Sequence, residues 1–213
     1  MVVGLLFLSG CEETPPNQES NENRIYVQDD NDDGDVRVLT DSLPDFSGFI
    51  TGKSDQQLIV GLFTSGFLPD GDNLTSRGIF RFDLSEWNET DIIFYLKCVN
   101  IIGNPGELKV YLIDELDPLP DQSEIEDVST IWNMIESSGK EITELTPQIG
   151  QWMDVTISKD TINEMYLGKG YMTIMLKLSD ENIDSNKDYY GFASVDYTPS
   201  VGNDQPYLVY VER

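Results

Sequence analysis

The chain has 213 residues, 39% of them hydrophobic and 10% aromatic, which is enough apolar material for one core of ordinary domain size plus a tail. Its 39 acidic residues against 13 basic ones, with no histidine, give a net charge of −26. Charge of that sign repels phosphates and anionic headgroups within the Debye length, which argues against nucleic acid as a partner, and the lack of histidine excludes imidazole acid–base chemistry. Such acidity suits either a solvated exterior or an array of carboxylates able to hold calcium.

The chain opens with a short apolar run, too short to span a bilayer, that ends in Leu8-Ser9-Gly10-Cys11. These four residues resemble the box that closes a lipoprotein signal peptide, although no basic n-region precedes them. The resemblance makes 1–10 a signal-peptide remnant and Cys11 the lipidated first residue of the mature chain, placing the protein outside the cytoplasm, held to the membrane by its lipid alone.

From 11 to 45 large apolar residues are few and Glu, Asp, Asn and Pro abundant, which predicts a disordered acidic tether. Within it Asp29-Asp30-Asn31-Asp32-Asp33-Gly34-Asp35 matches the first half of a calcium loop. The twelfth position would be Thr40, where a bidentate carboxylate is needed, so a plain linker is preferred.

After Phe46 the pattern changes to short strand-like runs between turn residues, at 57–63, 78–84, 92–99, 107–114, 152–157, 171–178, 190–195 and 206–211. The clearest is Gly78-Ile79-Phe80-Arg81-Phe82-Asp83-Leu84. Period 2 puts Gly78, Phe80, Phe82 and Leu84 on an inward face and Arg77, Ile79, Arg81 and Asp83 on the other. Helices are expected within 123–138 and within 158–167, the second capped by Ser158 and burying Ile162, Met165 and Tyr166. Cys98 shares its phase with Ile92, Phe94 and Leu96 and, with Cys11 acylated, has no disulfide partner, so it reads as a buried free thiol. The fold class predicted for 46–213 is all-β, an antiparallel β-sandwich with one or two short helices.

Six motifs in order resemble the DNRLRE-type domain, a jelly-roll module of secreted and surface proteins similar to a family of carbohydrate-binding modules. They are Ser76 to Ser85, Ser129-Thr130-Ile131-Trp132-Asn133, Asp154-Val155-Thr156, Gly168-Lys169-Gly170-Tyr171, Phe192-Ala193-Ser194-Val195-Asp196 and Gln205-Pro206-Tyr207-Leu208-Val209-Tyr210. The sequence departs from the family in an acidic insertion around 115–126, and in Val195-Asp196 where a glutamate is commoner.

The resemblance implies a polysaccharide or other glycan as partner, and such modules stack sugar rings on exposed aromatics. In Gln151-Trp152-Met153-Asp154-Val155 alternation sends Met153 and Val155 inward and turns Trp152 and Asp154 out, making Trp152 the first candidate platform. Trp87, in a loop, is the second, while Trp132 matches a family tryptophan of structural role. Each also suits half-buried packing. Arg77 and Arg81 fit acidic sugars, or internal pairing with Asp83 or a neighbouring strand. Asp70, Asp72 and Asn73 offer oxygens for a structural calcium, and Asn73-Leu74-Thr75 and Asn88-Glu89-Thr90 are glycosylation sequons.

The expected function is that of a non-catalytic surface lipoprotein whose sandwich binds carbohydrate. The alternatives are a structural or adhesive envelope protein that binds other proteins, and a glycoside hydrolase or polysaccharide lyase working through paired carboxylates.

Overall fold

The computed structural model describes residues 24–28, 32–39, 48–51, 57–64, 73–119, 125–181, 187–197 and 204–210. Twelve strands and three helices lie among them. The strands are β1 (Arg24–Tyr26), β2 (Asp33–Leu39), β3 (Gly48–Thr51), β4 (Gln57–Thr64), β5 (Asn73–Asp83), β6 (Ile92–Ile102), β7 (Leu108–Ile113), β8 (Lys140–Leu145), β9 (Trp152–Ile157), β10 (Tyr171–Leu178), β11 (Lys187–Ala193) and β12 (Tyr207–Tyr210). The helices are α1 (Ile125–Trp132), α2 (Met134–Ser138) and α3 (Lys159–Tyr166).

All pairings are antiparallel. A small sheet runs β1-β12-β6-β9. A large one runs β11-β4-β5-β10-β7-β8, with β2 on β5 and β3 on β2. Strand β6 belongs to both: Ile92 to Tyr95 lie between β12 and β9, Leu96 and Lys97 pair with β9, and Cys98 to Ile102 run along β11 across a register shift at Gly191/Phe192. One long strand thus turns the corner of the sandwich, aided by that irregularity.

The inner faces meet in one core. Phe94 on the small sheet packs on Phe80 and Phe82 of the large one, with ring centroids 5.5 and 5.7 Å apart. The predicted inward phase of β5 is therefore the observed one. Gly78 belongs to it for a steric reason: a Cβ there would stand 2.3 Å from Leu58 Cδ2 on the neighbouring β4. The outer side of β5 is not solvent, however. Ile79 joins Val36, Val38, Met175, Ile113 and Leu119 in a second core capped by Val128, Ile131 and Trp132 of α1 and Ile135 of α2. The strand is buried on both faces, so its period-2 pattern separates two cores rather than core from water.

The tether reading of 11–45 needs correcting where the chain is described. Arg24–Tyr26 and Asp33–Leu39 are strands of the sandwich, so the domain begins before residue 46. The carboxylates that suggested a linker are bonded internally. Asp32 pairs with Arg81, Asp33 Oδ2 accepts from the Val195 amide at 2.7 Å, and Asp35 Oδ2 accepts from the Ile59 amide at 3.0 Å and from Arg37 Nη2 at 2.8 Å. Buried carboxylates cost little once paired or bonded to amide donors. The residues before Arg24 lie outside the described ones.

The helices fall within the two expected ranges, the first of which holds both α1 and α2. The Ser158 hydroxyl accepts from the Thr161 amide, and Ile162 and Tyr166 are buried on the inner side of α3. The Tyr166 hydroxyl donates toward the carbonyls of Ile113 on β7 and Thr173 on β10, and burial raises its pKa, so it stays protonated. Among the described residues no helix is long and apolar enough to cross a membrane.

Candidate functional site

The outward positions of the small sheet follow from register. Trp152 on β9 stands opposite Lys97 on β6, Asp154 opposite Tyr95, Tyr95 opposite Tyr207 on β12, and Tyr207 opposite Tyr26 on β1. One row of side chains therefore crosses all four strands on the side away from the core. Met153 and Val155 lie in the core, as alternation required, and Trp152 turns out.

Trp152 lies beside this row, two residues along β9 from Asp154, and three rings meet on Tyr207. Tyr95 stacks on it at 5.0 Å, Trp152 meets it edge-on at 5.4 Å, and Tyr26 tilts against it at 5.7 Å. The Arg24 guanidinium lies 4.5 Å above its centroid. Tyr207 is only 1% exposed, and burial pushes its phenol up to about 12 despite Arg24, so it remains a neutral ring and donor at physiological pH. Trp152 and Tyr26 at the flanks are half-buried. The Lys97 ammonium sits 6.0 Å from the Trp152 ring and is held 2.7 Å from Asp204. Trp152 Nε1 is shielded from water yet has no hydrogen-bond partner. The half-exposed rings of Trp152 and Tyr26 can offer a face to the C–H side of a sugar.

The other predicted residues go elsewhere. Trp87 packs on the core and donates from Nε1 to the Thr90 carbonyl at 2.9 Å, in the turn that precedes β6. It is not brought to Trp152, which pairs near the middle of β6. Trp132 is buried in the second core, 3.9 Å beneath the Arg77 guanidinium.

Neither arginine offered for an acidic sugar faces an open surface. Arg77 is 3% exposed and forms a fork on Glu181, at 2.9 Å from Nε and 2.7 Å from Nη2, while Nη1 donates to the Trp132 carbonyl at 2.6 Å. Arg81, also 3% exposed, donates to Asp32 and to the Leu116 carbonyl at 2.8 Å and lies 4.3 Å over the Tyr171 ring. The internal alternative holds for both, with partners from distant segments rather than Asp83. Asp83 instead accepts from the Ser85 amide in its own turn.

Cys11, Asp70 and Asp72 lie outside the described residues. Asn73 opens β5 and accepts from the Thr64 hydroxyl at 3.1 Å. Asn88 is exposed in the β5–β6 turn, its carbonyl accepting from the Thr90 hydroxyl at 2.6 Å. Among the described residues no group of three or more acidic or cysteine side chains is arranged to hold a metal. Cys98 is a buried free thiol, pushed up to about 11 by burial, and so unreactive near neutral pH.

Sequence reasoning found Trp152 and missed Tyr26, Tyr95, Tyr207, Arg24 and Lys97. The signal was the outward phase of Tyr95 and Lys97 within β6 and of Tyr207 within β12, which has meaning only when strand order is known. No protein-family model matches the sequence, and no curated protein matches it.

Proposed function

We propose that this protein is a non-catalytic surface lipoprotein whose β-sandwich binds carbohydrate on the outward face of the small sheet. The observation that supports the reading is the aromatic group Tyr26, Tyr207, Tyr95 and Trp152, with polar Asp154 and Thr156 beside it. Half-exposed aromatics rimmed by hydrogen-bonding groups are what a sugar ring needs from a binding surface. The resemblance of 46–213 to the DNRLRE-type domain favours the same class of ligand, and the net charge favours a neutral or weakly acidic glycan unless calcium at Asp70, Asp72 and Asn73 bridges the two. The test is a glycan array probed with the purified chain, with and without calcium, alongside a Trp152→Ala variant.

Attachment would run through Cys11, because two or three acyl chains hold a protein to a membrane where one does not. Fractionation of a Cys11→Ala variant checks this: release from membranes after export is expected, and retention would sink the anchor.

A further inference from the structure

Strands β1, β3, β8 and β9 each pair on one side only among the described residues, and they differ in how well that edge is guarded. β1 has three residues and β3 four, too short to template a partner. β8 carries Lys140, Glu141 and Glu144, and its ladder with β7 shifts register at Val110/Tyr111. Short length, alternating charge and irregularity are the usual defences of an edge. β9, Trp-Met-Asp-Val-Thr-Ile over Trp152–Ile157, has six residues, no proline, no lysine and an unbroken register with β6.

The hydrogen-bond phase shows what that edge offers. The Cys98 amide donates to the Gln151 carbonyl at 3.1 Å, so Met153, Val155 and Ile157 bond toward β6, while the amides and carbonyls of Trp152, Asp154 and Thr156 point away from it. These outward backbone groups meet no partner among the described residues, and no further hydrogen bond or ion pair engages the Asp154 carboxylate. Three donors and three acceptors in a row, with an unpaired exposed carboxylate at the centre, form a template for another strand.

We propose that the open edge of β9 takes an extended, basic segment of a partner protein as an added strand. Main-chain bonds to Trp152, Asp154 and Thr156 supply affinity, and a lysine or arginine opposite Asp154 supplies selectivity. The segment's alternate residues, β-branched, lie along the flank of Met153 and Val155, which are buried at the margin of the core. Charge decides the occupant: a second copy brings another −26 against the first, whereas a basic segment is drawn in.

The test uses the full chain and two capped synthetic peptides, Thr-Val-Lys-Val-Thr-Val and its counterpart with glutamate for lysine, followed by amide exchange and sedimentation. Expected are slowed exchange at the Trp152, Asp154 and Thr156 amides with the lysine peptide and roughly threefold or more weaker binding of the glutamate peptide. Asp154→Lys should reverse that preference. Thr156→Pro removes an outward donor without touching the β6 ladder and should abolish binding; if it melts well below the parent, Asp154→Lys decides alone. Equal affinity for both peptides, protection elsewhere, no binding, or a dimer that closes the same edge would each overturn the proposal.

Discussion

The two sheets treat their outer faces differently. On the large sheet, helices α1 and α2 cover Ile79, Val36, Val38 and Met175, and the two arginines between them are neutralised inside by Glu181 and Asp32. On the small sheet no helix among the described residues packs on the corresponding face; aromatic rings cover one another, and the flanking Trp152 and Tyr26 stay half-buried. Both faces place an arginine over an aromatic ring, Arg77 on Trp132 and Arg24 on Tyr207. In the first the pair is sealed beneath a helix and serves stability; in the second it borders the surface. An arginine alternating with apolar residues is therefore no sign of exposure, because a bidentate carboxylate and a covering helix make the same side chain an interior group.

The most severe way to break the large-sheet side is to remove what covers it from the N-terminus. Deleting 1–45 takes away β1 and β2, and with them Val36 and Val38, each 0% exposed and about 1.5–3 kcal/mol on burial, and leaves Arg81 without Asp32. An uncompensated buried charge adds about 3–5 kcal/mol. The fragment 46–213 should show no cooperative melt; a stable fragment would mean that β2 is dispensable. Phe82→Ala empties a site that is 0% exposed between the sheets and should cost about 3–5 kcal/mol in denaturant unfolding. Arg77→Ala should come next, at about 1.5–3 kcal/mol, by removing the fork on Glu181, which keeps only Lys177 at 3.3 Å, and it should not alter glycan binding. A ligand defect without a stability loss would return Arg77 to the surface.

Much of this fold was legible from period 2. The ranges 152–157 and 171–178 are the observed strands, the phase of β5 is right, and Ser158 caps its helix. What failed did so through tertiary partners. Asp33-Gly34-Asp35 reads as linker because, apart from Arg37 on Asp35, the groups that satisfy its carboxylates are the amides of Val195 and Ile59, far along the chain. β8, Lys140–Leu145, alternates charge with Ile142 and Leu145 that pack only at the margin of the core. Of the candidate site one member was legible: alternation turned Trp152 outward, but register alone brings Tyr95, Tyr207 and Tyr26 beside it.

The account rests on that outward face, and Trp152→Ala tests it most directly when glycan binding and thermal unfolding are measured on one preparation. Because the ring lies outside both cores and touches Tyr207 at its edge, the variant should lose binding while stability falls by about 1 kcal/mol. Unchanged binding, or a loss of stability as large as that of Phe82→Ala, would contradict it.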